Sequence, residues 1–143
     1  MRIHEVLSKK PSAEVVTIAP DASVRDLLAL LAEHNVGAVV VSSDGAAVDG
    51  IVSERDVVRR LHDDEGVLGG TVAAIMTSDV ETCKPDTTVD DLRVVMTERR
   101  IRHVPVVTDG RLTGIISIGD VVKSSLDQLQ FERDQLDSYV HQT

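Results

Sequence analysis

A short motif that occurs twice in the chain contains residue types that could bind a ligand. Residues 50–56 read GIVSERD and residues 114–120 read GIISIGD, so a glycine, a serine and an aspartate recur at the same spacing. In each copy an apolar stretch leads to the serine, which predicts a strand that turns into a helix. The first turn of a helix presents unpaired backbone N–H groups, and those groups are suited to binding phosphate.

The Ser-x-x-Asp pairs allow two interpretations. In the first they cap helices: the hydroxyls of Ser53 and Ser117 accept a hydrogen bond from an early N–H, and Asp56 and Asp120 lie at the positive end of the helix dipole. In the second, each aspartate also accepts hydrogen bonds from the vicinal hydroxyls of a ribose. The two roles are compatible, and the duplication favours ligand binding.

The motif belongs to a longer internal repeat, in which residues 15–59 align with residues 80–123 after one gap near Ala46. Such repetition predicts two similar units whose apolar faces need one another. Pairs of identical residues include Thr17 and Thr82, Pro20 and Pro85, Asp21 and Asp86, Asp26 and Asp91, and Gly50 and Gly114.

Each unit predicts the order strand, helix, strand, strand, helix, which is a mixed α/β (α+β) fold. The first strands are expected over residues 14–20 and 79–85, each stopped by a proline. An amphipathic helix follows, over residues 23–34 in the first unit, with Ser23 and Thr88 as N-caps. Two apolar runs joined by Asp-Gly then predict strand, turn and strand in each unit.

The remaining segments define the expected domain organisation. Pro105 predicts a sheet edge or a bulge in its strand. Residues 3–8 and 72–77 each predict one or two helical turns ahead of a unit. The acidic, glycine-rich stretch DDEGVLGG is the clearest linker. The expected boundaries are 1–62 for the first repeat, 63–70 for the linker, 71–125 for the second repeat and 126–143 for a C-terminal helical extension.

The C-terminal extension has an apolar heptad pattern that only Arg133 interrupts. This pattern predicts a helix with one apolar seam. Whether that helix folds back on its own chain or packs on a second subunit stays open. The residues of the seam are Val122, Leu126, Leu129, Leu136 and Val140.

Composition excludes several classes of partner. The chain has 143 residues and a formal charge of −9, from 24 acidic and 15 basic residues, which disfavours nucleic acid. No apolar run is long enough for a signal peptide or a membrane span. The single cysteine, Cys83, fits a reducing compartment. We therefore expect a soluble, cytoplasmic protein with neither a membrane nor a nucleic acid as partner.

Catalysis has little support in the sequence. The five histidines lie apart without metal-ligand spacing, and no Walker A loop or GxGxxG motif occurs. Cys83 is the one candidate nucleophile, and a structural role fits it better than an enzymatic one because no local catalytic signature surrounds it. We predict that the protein is not an enzyme and requires no cofactor or metal.

Taken together, these motifs resemble a tandem pair of CBS domains, also called a Bateman module. The resemblance covers residues 1 to about 125 and depends on two copies of Thr-x-x-Pro-Asp, an amphipathic helix, an apolar strand, Asp-Gly and Gly-Ile-hydrophobic-Ser-x-x-Asp. It implies two β-α-β-β-α repeats related by pseudo-twofold symmetry, here with a C-terminal helix added. It also implies a regulatory homodimer that binds AMP, ADP, ATP, NAD(H) or S-adenosylmethionine in clefts between the repeats, and a regulated protein partner.

The resemblance also implies roles for particular residues. Asp56 and Asp120 would hold ribose hydroxyls, while Ser53 and Ser117 would contact ribose or phosphate. The first-strand segment, Thr17 and Ile18 or Thr82 and Cys83, would meet the adenine through backbone groups. No aromatic residue precedes Phe131, so adenine would lie between aliphatic side chains.

Basic residues next to the Pro105 strand would reach phosphate groups. Arg102 and His103 occupy that place in the second unit, where the first unit has Gly37 and Ala38, so the two clefts should be unequal. The sequence does not decide which cleft this basic pair serves, and an ordinary solvated strand start is the alternative.

Arg55 stands where the second unit has Gly119. It would contact a phosphate, fill the first cleft itself, or form an ion pair with Glu54 or Asp63. For the whole protein, the alternative function is a structural dimerisation or interaction module that binds no nucleotide.

Overall fold

The computed structural model describes residues 1–11 and 14–141, and it confirms the predicted mixture of helices and strands in two repeats. The first half comprises β1 to α3 and the second half comprises α5 to α6. In chain order the elements are α1 (Ile3–Ser8), β1 (Thr17–Ile18), α2 (Val24–His34), β2 (Ala38–Val41), β3 (Gly50–Ser53), α3 (Glu54–Asp63), a 3₁₀ helix (Glu65–Gly69), α4 (Val72–Ile75), α5 (Val89–Arg99), β4 (His103–Thr108), β5 (Arg111–Ser117) and α6 (Ile118–His141).

The first half is built on a three-stranded sheet with β2 in the middle. β2 runs parallel to β1 and antiparallel to β3, and all four of its residues are buried. The apolar face of α2, formed by Val24, Leu27 and Leu31, packs in the same core. The predicted N-cap is confirmed, since the Ser23 hydroxyl accepts a hydrogen bond from the Asp26 N–H at 3.0 Å.

The second half repeats this plan with a shorter first strand. β4 and β5 form an antiparallel pair, and Thr88 caps α5 by accepting a bond from the Asp91 N–H at 3.1 Å. The strand predicted over residues 79–85 is reduced to a single parallel bridge between Cys83 and Val106.

Pro105 explains this difference between the halves. In the first half, Thr17 pairs with Val40. The repeat places Pro105 where the first half has Val40, and proline has no N–H to donate to a ladder. The second half therefore lacks the pair that Thr82 would make. The bulge predicted near this proline lies between Val106 and Val107, one residue further on.

The two short helices that precede the repeats pack on the opposite halves. Ile3 and Val6 of α1 are buried in the core of the second half, and the Ile3 N–H donates to the Thr87 carbonyl at 2.9 Å. Val72 and Ile75 of α4 are buried in the core of the first half. The predicted helical turns are confirmed. The core of the first half is completed by α4, which precedes the second repeat, and the core of the second half is completed by α1, which precedes the first repeat.

The predicted linker is a packed segment. α3 continues to Asp63, and the 3₁₀ helix that follows buries Val67 in the core of the first half. A contact of this kind holds the connection between α3 and α4 against the first half. The expected domain boundaries stay predictions.

α6 begins immediately after Ser117 and continues as one helix to His141. Val121 and Ser124 are buried, whereas every residue from 126 to 141 is exposed. The C-terminal part therefore does not fold back on its own chain over the residues described. Within residues 1–11 and 14–141, no helix combines the length and the apolar character needed to cross a membrane.

Candidate functional site

The first motif forms a reciprocal cap at the start of α3. The Ser53 N–H donates to Asp56 Oδ2 at 2.8 Å, and the Asp56 N–H donates to Ser53 Oγ at 3.3 Å. The Ser53 hydroxyl also donates to Oδ2 at 3.1 Å. The capping interpretation is therefore confirmed. Within residues 1–11 and 14–141 no hydrogen bond reaches Asp56 Oδ1, which is thus available to a ligand.

The second motif forms the same cap and adds a cation. The Ser117 N–H donates to Asp120 Oδ2 at 2.9 Å, and the Asp120 N–H donates to Ser117 Oγ at 3.1 Å. The ammonium of Lys10 donates to the same Oδ2 at 2.9 Å. The two aspartates are therefore held alike by their own serines but meet different neighbours.

The motif glycines allow the short helices to approach the strands closely. A Cβ on Gly50 would lie 2.7 Å from Met76 Sδ and 2.9 Å from the Thr77 carbonyl oxygen. A Cβ on Gly114 would lie 2.8 Å from a methyl group of Leu7. Gly50 thus packs against the residues that follow α4, and Gly114 packs against Leu7 of α1.

A cavity of about 290 Å³ brings the first motif together with the basic pair of the second half. Ser53, Arg55 and Asp56 line it from α3, while Arg102 and His103 approach from the start of β4. We call this cavity the first cleft. The structure thereby assigns the basic pair, which the sequence left unassigned, to the cleft of Asp56. The other lining residues are Gly37, Ala38, Ile51, Val52, Glu54, Arg59, Thr77, Arg100 and Ile101.

Two arginines of the first cleft were missed by the sequence analysis. Arg59 lies one helical turn after Arg55, so its spacing could have placed it on the same face of α3. Arg100 ends α5 in a left-handed conformation with φ of 56°, and no local signal predicts that its side chain turns toward the cleft.

The first cleft is rich in cations although the whole chain is acidic. Arginines 55, 59, 100 and 102 line it with His103, against the carboxylates of Glu54 and Asp56. Over the described residues none of the four arginines forms a salt bridge, so the predicted ion pair of Arg55 with Glu54 or Asp63 is absent. Unpaired guanidinium groups are suited to binding phosphate.

His103 is half-buried, and burial lowers its pKa below 6.5. The carboxylates of Asp120 and Glu54 oppose this shift, while the positive charges of Lys10 and Arg102 add to it. The imidazole is therefore neutral at pH 7. A bound anion beside it would favour the protonated form and raise its pKa.

A cavity of about 40 Å³ lies beside Gly114, and Leu7, Lys10, Glu14, Val15, Thr113 and Ile115 complete its lining. Neither Ser117 nor Asp120 lines this cavity, but Lys10 connects it to the second motif through its bond to Asp120. We call the space beside Lys10 and Asp120 the second cleft. Burial disfavours ionisation of Asp120, but the bonds from the Ser117 N–H and from Lys10 outweigh it and lower the pKa of this carboxyl group. The two motif aspartates therefore have different surroundings, and the inequality of the two ligand sites stays a prediction.

The remaining predicted ligand residues do not line either cavity. Thr17 and Ile18 form β1, Pro105 lies in β4, and neither they nor Thr82 and Cys83 line the two cavities. Cys83 is buried, and burial raises the pKa of its thiol to about 11. So little thiolate is present at neutral pH that a nucleophilic role has no support.

Comparison with known proteins identifies the family. The CBS domain model matches the chain twice, over residues 3–63 and 72–127. The chain belongs to the CBS domain family. It is 37% identical over 125 residues to a mitochondrial CBS domain-containing protein of Arabidopsis thaliana, with 84% of this chain covered. The aligned region is 61% of the length of that relative.

Solved CBS structures share the fold. A CBS-domain containing protein from Agrobacterium tumefaciens is 42% identical with a TM-score of 0.83, over 87% of this chain and 99% of its own. A CBS domain protein from Pyrobaculum aerophilum complexed with AMP is 32% identical with a TM-score of 0.73, over 84% and 89%. The CBS domain pair of protein MJ0100, complexed with 5′-methylthioadenosine and S-adenosyl-L-methionine, is 25% identical with a TM-score of 0.78, over 90% and 98%.

Proposed function

We propose that this CBS pair is a regulatory sensor that binds an adenine nucleotide in the first cleft. The observation that carries the proposal is one cavity in which Asp56 faces Arg102 and His103 from the other half. The CBS structures complexed with AMP and with two other adenosine derivatives support the ligand class. Regulation requires only that the nucleotide binds two conformations or assemblies with different affinity, so no catalytic group is required.

The residues of the first cleft suit the parts of such a ligand. Asp56 Oδ1 would accept hydrogen bonds from the ribose hydroxyls, because Oδ2 is engaged by Ser53. The adenine would lie among aliphatic residues, of which Ile51 and Ile101 line the cavity. The arginines would meet the phosphates, which favours AMP, ADP or ATP over adenosine derivatives without phosphate.

Isothermal titration calorimetry with AMP, ADP, ATP, NADH and S-adenosylmethionine tests the proposal. We expect binding of the adenine nucleotides, and Asp56→Asn should weaken it at least tenfold while preserving the cap, because the amide oxygen still accepts from Ser53. Asp120→Asn is the matched control in the second motif. Absence of heat and of any melting shift with all five ligands at millimolar concentration would overturn the nucleotide claim.

A homodimer is the assembly that we propose for signalling. Val58 and Val122 occupy the same position in the repeat and remain 66% and 51% exposed, so the two halves present matching apolar residues. A groove of about 520 Å³ runs along α5 and α6, lined by Ile118, Val122, Leu126 and Leu129 among others. Matching faces on related halves are suited to a twofold interface with a second copy.

Sedimentation equilibrium of Val122→Asp tests the dimer, with Val94→Asp as a control at an exposed valine outside the groove. We expect the first variant to be monomeric and the second to remain dimeric. Truncation after Ser125 separates the alternative function: a purely structural module would lose association and show no nucleotide effect before or after truncation. A wild-type monomer would remove the dimer from the proposal.

The cytoplasmic location and the regulated protein partner stay predictions. The name of the Arabidopsis relative places that protein in mitochondria. Cell fractionation and affinity purification with and without the nucleotide test these two expectations.

A further inference from the structure

Lys10 bonds to the carboxylate of Asp120, which corresponds in the repeat to the proposed ribose-binding carboxylate of Asp56. The oxygen that it contacts is Oδ2, which also caps α6. The ammonium of Lys10 donates to Asp120 Oδ2 and to the Ile115 carbonyl oxygen, both at 2.9 Å. The Lys10 side chain is 25% exposed and that of Asp120 is 21% exposed. Lys10 therefore supplies to the Asp120 carboxylate, from within the chain, a hydrogen-bond donor of the kind that a sugar hydroxyl would supply.

Among the residues that the structure describes, no cation donates a hydrogen bond to Asp56 in the first cleft. The alignment that matches Ile3 with Val72 places Asp79 where the other segment has Lys10. The segment that follows α4 therefore has an acidic residue where the segment that follows α1 has a lysine. The difference belongs to this pair of segments and not to the repeated motif itself.

The second cleft also has fewer groups for phosphate. Gly119 stands where the first half has Arg55, and the basic pair of Arg102 and His103 lines the first cleft. A polyphosphate would therefore find few guanidinium groups there, and a ligand would have to displace a lysine bonded twice.

We propose that Lys10 is an internal ligand of the second cleft, which restricts the chain to one nucleotide, in the first cleft. The inference that one nucleotide binds per chain rests on the proposed function, whereas the contact between Lys10 and Asp120 does not. Removal of this ammonium frees Asp120 for ribose in a cleft poor in cations, so the opened cleft takes an uncharged adenosine derivative.

Calorimetry of Lys10→Met with 5′-methylthioadenosine tests the closed cleft. We expect one additional site per chain compared with wild type, and its loss in Lys10→Met combined with Asp120→Asn. AMP should bind wild type with a stoichiometry of one, and Asp56→Asn should weaken that site at least tenfold. Two AMP sites in wild type, or a folded Lys10→Met without an additional site, would overturn the proposal.

Acetylation of the wild-type protein, followed by mass spectrometry, tests the Lys10 contact without any variant. The neighbouring Lys9 is exposed and serves as the internal control. We expect Lys10 to react at least fivefold more slowly than Lys9, with or without AMP. Equal rates would overturn the proposal even if Lys10→Met fails to fold. A wild type that binds no nucleotide but protects Lys10 would refute the proposed function alone.

Discussion

At the scale of residues, the same motif forms the same cap in both halves, but its aspartate contacts Lys10 in the second half. The caps made by Ser53 and Ser117 are local, and they were predicted from the sequence because each involves residues only three apart. The Lys10 contact was not predicted, since its partner Asp120 lies far along the chain. Pairing between distant charges depends on the fold and leaves no local pattern.

The two motif glycines should differ in their tolerance of alanine. At Gly50 the nearest backbone atom is the Thr77 carbonyl oxygen, which accepts a bond from the Ile51 N–H at 2.9 Å and cannot move freely. At Gly114 only the end of the Leu7 side chain interferes. We expect Gly50→Ala to cost about 1–3 kcal/mol of unfolding free energy and Gly114→Ala to cost less. Urea denaturation measures both, and equal costs would contradict this account.

The histidine of the first cleft should make stability depend on pH. Because burial lowers the pKa of His103, the unfolded chain takes up a proton below pH 6.5 before the folded chain does. Stability is therefore present above that pH and is lost as the pH falls through the folded pKa. We expect His103→Gln to reduce the loss of stability between pH 7.5 and 5.5, measured by urea denaturation.

The exposed residue His34 provides the control for this experiment. His34→Gln should leave the pH dependence close to that of wild type. If His103→Gln and wild type lose the same stability over this range, His103 is not the group responsible.

At the scale of elements, most helices and strands were predictable because apolar periodicity and capping residues act within one segment. The packing of α1 on the second half and of α4 on the first half was not predictable. Nothing in the segments IHEVLS or VAAI indicates which half the apolar face of each helix will cover. The short first strand of the second half was also missed. Pro105 causes this shortening, and the sequence had marked it as unfavourable to strand pairing. The loss of the pair that Thr82 would make could be predicted only with the register of β4.

Pro105→Val should extend the sheet of the second half. The new N–H at this position can donate to the preceding segment, as the first half pairs Thr17 with Val40. One hydrogen bond gains about 0.5–1.5 kcal/mol, and loss of the proline restraint on the unfolded chain costs about 0.4–1 kcal/mol. The net change in stability should be small, so hydrogen exchange is the informative measurement.

We expect the new amide at position 105 to exchange slowly. The reciprocal variant, Val40→Pro, should leave the Ile18 amide protected, because the equivalent Cys83 N–H in the second half donates to the Pro105 carbonyl oxygen at 3.0 Å. Fast exchange at position 105 in a folded Pro105→Val would show that the proline does not set the strand length.

At the scale of the whole molecule, each half depends on a helix from outside its own repeat. A fragment of residues 1–64 contains α1 but lacks Val72 and Ile75 of its own core. A fragment of residues 14–77 contains that complete core and omits α1. We expect the second fragment to melt cooperatively and the first to melt broadly or not at all, measured by circular dichroism. If fragment 1–64 were more stable than fragment 14–77, the first half would not depend on α4 for its core.

The long helix α6 connects the first cleft with the far end of the molecule. Its first residue, Ile118, donates its N–H to the carbonyl of Arg102 at 2.8 Å, and Arg102 lines the first cleft. An α-helix of 24 residues is about 36 Å long. A tilt of about 5° at its base would displace the tip by about 3 Å, at 1.5 Å of rise per residue. A small shift of Arg102 that tilted this helix would therefore be magnified at its C-terminal end.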